Sequence, residues 1–117
     1  MRKLIITFLA ILAPADPSLA DNLKQVWSHP PRAAFESTRS VAELELCLGI
    51  ELSPSGLPSV IRGPDVTIIT TGNGSGGVYA SVKISERNGV RFVEVGKGFS
   101  MRAEDQIEAV KRCAATS

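Results

Sequence analysis

Val78-Tyr79-Ala80-Ser81-Val82-Lys83-Ile84-Ser85-Glu86-Arg87-Asn88-Gly89-Val90-Arg91-Phe92-Val93-Glu94-Val95 holds two strand-like runs joined by a dipeptide that favours one kind of turn. Asn-Gly is preferred in type I′ hairpins, where both central residues need positive φ and the twist of the turn matches that of the strands. A two-residue turn also sets the register. Arg87 then lies opposite Val90, Glu86 opposite Arg91, Ser85 opposite Phe92, Ile84 opposite Val93, Lys83 opposite Glu94 and Val82 opposite Val95. This pairing puts opposite charges across the strands at two positions and gathers Val78, Ala80, Val82, Ile84, Val93 and Val95 on one face. The other face carries a mixed set: Tyr79, Ser81, Lys83, Ser85, Val90, Phe92 and Glu94.

Upstream of the hairpin, Val66 to Thr71 is rich in β-branched residues and reads as a strand. Leu57 to Ile61 is a shorter one, separated from it by the turn signal Gly63-Pro64-Asp65. Ser40 with Glu43 three residues later has the form of a capping box, after which Val41, Leu44, Cys47 and Leu48 recur at helical spacing. Downstream, Ser100 is placed to cap a second helix, with Glu104 and Asp105 in its first turn and Lys111 and Arg112 in its last, as the helix dipole prefers. Its inner stripe is Ala103, Ile107, Val110 and Ala114. The expected fold is therefore α+β, in the order α-β-β-β-β-α. It is one small domain over residues 39–117, with a mostly antiparallel sheet and two helices on one face.

Each predicted helix carries one of the two cysteines, Cys47 and Cys113. The first twenty residues bear on their state. Arg2 and Lys3 precede an apolar run from Leu4 to Leu12, which leads through Pro14 and Pro17 to the small-residue site Ser18-Leu19-Ala20. This is the three-part pattern of a secretory signal peptide, and the run is well short of the ~20 apolar residues that span a bilayer. Residues 1–20 are read as that signal, with cleavage after Ala20; Ala13-Pro14-Ala15 is a second site of the same form. No other segment is apolar enough for stable membrane insertion once the signal is removed. The expected location is outside the cytoplasm, periplasmic or secreted. In such oxidising surroundings a lone pair of cysteines reads as a disulfide. A Cys47–Cys113 bridge closes a long loop and contributes ~4 kcal/mol in the chain-entropy model, a large share of a small domain's stability.

Between the signal and the first predicted helix, residues 21–38 show no sustained period, and His29-Pro30-Pro31 forbids helix there. The segment reads as an extended arm whose large apolar groups, Trp27 and Phe35, dock on the domain.

The precursor has 13 basic and 12 acidic residues; loss of Arg2, Lys3 and Asp16 leaves eleven of each. A neutral chain lacks the clustered positive charge that draws nucleic acid, so no nucleic-acid partner is expected. Gly72-Asn73-Gly74-Ser75-Gly76-Gly77 matches GxGxxG after a strand, but another strand follows where a dinucleotide site needs a helix N-terminus. It reads as a hairpin connection, which also contains a glycosylation sequon, Asn73-Gly74-Ser75. Val95 to Ser100 reads as a strand-to-helix turn with one solvated lysine, Lys97.

Catalysis has thin material. His29 is the only histidine and lies in the arm, and the carboxylates fall opposite basic partners or on a helix's solvent side. No catalytic, cofactor-binding or metal-ligating residue is assigned. What stands out is a surface, the outer sheet face with Tyr79, Lys83, Arg87, Val90 and Phe92, where aromatics among cations suit a protein, a small ligand or a second copy of the chain. The function expected is a non-catalytic binding or protein-interaction module. A small secreted hydrolase using His29 and a structural accessory subunit of an envelope complex are the alternatives. The disulfide is open to a direct check: after denaturation of the unreduced protein, neither Cys47 nor Cys113 should take up a thiol label, and substantial labelling of either would show the bridge absent.

Overall fold

The computed structural model describes residues 19–72, 77–97 and 103–115. The leader up to Ser18, the glycine loop 73–76 and the turn carrying Ser100 lie outside the described residues. In chain order the elements are α1 (Leu19–Trp27), β1 (Ala33–Ser37), α2 (Val41–Leu52), a 3-10 turn (Ser53–Ser55), β2 (Leu57–Gly63), β3 (Val66–Gly72), β4 (Val78–Arg87), β5 (Val90–Val95) and α3 (Ala103–Ala114). The five strands form one antiparallel sheet in the order β1-β5-β4-β3-β2.

The hairpin turns as its dipeptide requires: Asn88 and Gly89 have φ of 53° and 78°, and all six pairs from Arg87↔Val90 to Val82↔Val95 stand in the expected register. That register gives β4 and β5 a dry face of Ala80, Val82, Ile84, Val93 and Val95, extended by Ile69 of β3. Leu44, Leu48 and Leu52 of α2 and Val110, Cys113 and Ala114 of α3 close over it, and all of these are buried. The Cys47–Cys113 disulfide, with Cα atoms 5.7 Å apart, ties the two helices together on this inner face. Arg112 of α3 adds an ion pair to Glu51 of α2, at 2.7 Å. Arg91 binds the chain leading into α2, donating to the carbonyls of Thr38 and Arg39, while Arg39 donates to the Cys113 carbonyl.

The capping box forms at the start of α2. Glu43 N–H donates to Ser40 Oγ at 3.1 Å, and Ser40 N–H donates back to the Glu43 carboxylate at 3.2 Å. The donated backbone and hydroxyl hydrogens of Ser40 hold the Glu43 carboxyl below its ordinary value of 4.5.

Residues 21–38 depart from the expected extended arm. Leu19–Trp27 is helical and Ala33–Ser37 is a fifth strand, paired along β5 from Ala33↔Val95 to Ser37↔Arg91. The helix is only nine residues long, so its apolar spacing of Leu23, Val26 and Trp27 spans little more than one turn, too short to register as a period. Pro30 and Pro31 then act as its stop, and the chain re-enters as a strand where Arg32 N–H donates to the Val95 carbonyl at 2.7 Å.

Val78 also departs from expectation. A bulge between Thr71 and Gly72 shifts the β3–β4 pairing, so Thr71 faces Ala80 while Gly72 faces Val78. The extra residue turns Val78 away from the inner core, and it packs instead with Leu23 and Val26 of α1. Among the described residues no helix is long and apolar enough to cross a membrane.

Because the Glu43 carboxyl is held low, its support for the fold is complete above pH 4.5 and is lost as pH falls through the lowered value. Glu43→Gln should therefore flatten the acid side of a plot of urea midpoint against pH, and curves that stay parallel to wild type below pH 4.5 would refute the assignment.

Candidate functional site

Helix α1 lies on the outer face, opposite α2 and α3, and Gly96 is what lets it approach. A Cβ at Gly96 would fall 2.8 Å from Val26 Cγ1 and 3.0 Å from Trp27 Cζ2, closer than carbon atoms pack. With only hydrogens there, Trp27 settles over the end of β5, and its indole N–H donates to Ser81 Oγ at 3.0 Å. The Lys83 ammonium stands 4.4 Å from the centre of the indole ring, a cation–π contact. Leu23 and Val26 close over Val78, with Ile68 packed beside them, in a second and smaller core.

This seat leaves the other flank of the helix uncovered. Ala20, Leu23, Lys24 and Trp27 follow one another at helical steps of three, one and three, and therefore share one stripe. The stripe faces Ile61 and Ile68, which are cross-strand partners on β2 and β3. Between the helix and these two strands lies a cleft of ≈ 440 Å³, lined among the described residues by five apolar residues and one lysine. β2 is an edge strand whose seven residues are all exposed, and Ile61 at the cleft floor is 42% exposed. Pro58, which has no N–H to offer a ladder, is placed on that edge strand.

The five surface residues singled out from the sequence do not make one patch. Lys83 is engaged beneath Trp27, and Arg87 lies over the Phe92 ring, 4.7 Å from its centre, beside its pairing partner Val90 at the hairpin end. Tyr79 stands at the bulge at the far end of β4, 37% exposed, its carbonyl taking a hydrogen bond from Gln106 of α3. It is six residues along β4 from Ser85, which pairs with Phe92, so roughly 20 Å of strand separates the two aromatics. Phe35 packs against the inner core with α2 and α3, while Trp27 alone reaches the outer face. The cleft is not legible in the sequence because it needs α1. Its signal in the sequence is the spacing of Leu23, Val26 and Trp27 just ahead of Pro30-Pro31.

Neither described cleft holds a nucleophile beside His29. That histidine is exposed past the end of α1, and the smaller cleft, ≈ 230 Å³, has Asp65 and Glu86 among Val41, Val66, Thr67 and Ile84. Glu86 pairs with Arg91 at 3.7 Å. Among the described residues no three His, Cys, Asp or Glu side chains gather to hold a metal ion. The chain matches no known family model, no curated protein and no solved structure.

If Gly96 is the seat of α1, Gly96→Ala should lift the helix from the sheet, at an overpacking cost of ~1–3 kcal/mol. Trp27, the only tryptophan, would report it as a red-shifted emission with the disulfide still formed. Unchanged emission and stability would mean that the helix does not depend on this contact.

Proposed function

We propose that the chain is an exported, non-catalytic binding module that holds an apolar group of its ligand or partner protein on the outer face of its sheet, in the cleft beside α1. The observation that carries this reading is the cleft itself. Its ≈ 440 Å³ falls within the ~300–1,000 Å³ range of ligand sites, and a mostly apolar lining with one polar group is their usual composition. Export rests on the leader pattern of residues 1–20 and agrees with the helix-to-helix disulfide, which belongs to oxidising surroundings. Cleavage after Ala20 removes one of the six lining residues and leaves Leu23, Lys24, Trp27, Ile61 and Ile68 in place.

A second reading, a structural accessory subunit of an envelope complex, draws on β2. An edge strand exposing Leu57, Val60 and Ile61 is a template for pairing with another protein's strand. Both readings use the same flank of the molecule. The hydrolase alternative draws no support from the position of His29.

The neutral apolar fluorophore N-phenyl-1-naphthylamine tests the module reading in two steps. Protein recovered from the periplasm or medium should begin at Asp21 and should brighten the probe while quenching Trp27; Ile61→Asp, a change at an exposed position, should abolish both effects. Retention of Met1, or probe binding that Ile61→Asp leaves intact, would defeat the export or the cleft assignment respectively.

A further inference from the structure

We infer that the cleft beside α1 takes an anionic amphiphile, its hydrocarbon chain along Ile61, Ile68 and Trp27 and its acidic head at Lys24. The inference rests on the module reading and names its ligand class. Among the described residues Lys24 is the only charged one lining the cleft, and it is exposed, while Leu23, Trp27, Ile61 and Ile68 form an apolar lining that cleavage after Ala20 leaves in place. Lys83 does not line the cleft, but its ammonium stands 4.4 Å from the centre of the Trp27 ring that does. Asp21 lies one turn before Lys24 on α1, and Glu94 lies across from Lys83 on β5, but neither lines the cleft. A ligand with a cationic head would therefore meet like charge at the cleft, and an uncharged one would gain nothing from the hydrated ammonium. A carboxylate or phosphate head meets it with opposite charge, which gives orientation as well as affinity.

The shape of the cleft agrees. One wall is a helix stripe and the floor is the Ile61–Ile68 cross-strand pair, so the cavity is a trough running beside a helix. The edge position of β2 leaves it open along one side. Burial of methylene groups there supplies ~0.8 kcal/mol each, enough for a chain to bind with only one polar anchor.

The test uses the mature, disulfide-intact protein and three amphiphiles below their micelle concentrations: dodecanoate, dodecanol and dodecyltrimethylammonium. Dodecanoate should saturate a change in Trp27 emission, bind most tightly of the three, and lose about tenfold in affinity in Lys24→Glu while Lys24→Arg keeps it. Ile61→Asp should remove binding, and circular dichroism would confirm that each variant is folded. Equal binding of the three amphiphiles, or an unchanged affinity in Lys24→Glu, would overturn the anionic assignment and leave the apolar cleft standing, since N-phenyl-1-naphthylamine would still bind. Failure of that probe as well would overturn both. Sedimentation that shows the cleft closed by a second copy, with Ile61→Asp restoring monomer, would also overturn the inference.

Discussion

Every face in this molecule is assigned by the register of one turn. Asn88 and Gly89 both sit at positive φ, the geometry that lets a two-residue loop join β4 and β5 without splaying them. Side chains alternate along a strand, so a slip of one residue would exchange the buried set Val82, Ile84, Val93 and Val95 for Lys83, Ser85, Phe92 and Glu94. With the register held, α2 and α3 have a continuous apolar floor to share and their cysteines meet above it. The outer face, left amphipathic, is free to be partly covered by something smaller. That smaller element is α1.

The parts of the fold legible in the sequence are those governed by local chemistry. The hairpin is written in Asn88-Gly89 and in the alternation on either side, α2 in Ser40 and Glu43, and the helix clamp in a pair of cysteines behind a leader pattern. What the sequence hides depends on contacts between distant segments. β1 has too few residues to show alternation and takes its strand geometry from β5, whose edge would otherwise be open. The bulge that sends Val78 outward is a pairing event between β3 and β4, invisible in either strand alone. Gly96 reads as a turn residue before a helix, yet its lack of a side chain matters because Val26 and Trp27 arrive from the other end of the chain.

The candidate site is a consequence of unequal covering. Two helices of twelve residues roof the inner face, whereas nine residues of α1 reach over β4, Ile68 of β3 and Gly96 beyond the end of β5. The outer side of β2 and β3 is left with a wall on one flank and water on the other. Ile61 and Ile68 are thus half-solvated side by side, an arrangement that costs free energy in the unliganded protein and that any apolar occupant would relieve. Lys83, which the alternation alone would place among free surface cations, is spent on the Trp27 ring. Lys24 is left as the charge that a ligand would meet.

The strand order β1-β5-β4-β3-β2 also bears on when the molecule can fold. Among the described residues its first strand pairs with its last, Ala33 with Val95, and its covalent clamp joins residues 66 apart with Cys113 in α3. A chain delivered end-first, from a ribosome or through a membrane pore, can form the β3–β4 and β4–β5 pairs as they emerge. It cannot seat β1, dock the α1 that precedes it against Gly96, or close the disulfide until β5 and α3 have followed. Topology of this kind leaves the sheet without its β1 edge, and the helices without their covalent clamp, until the late segments are available.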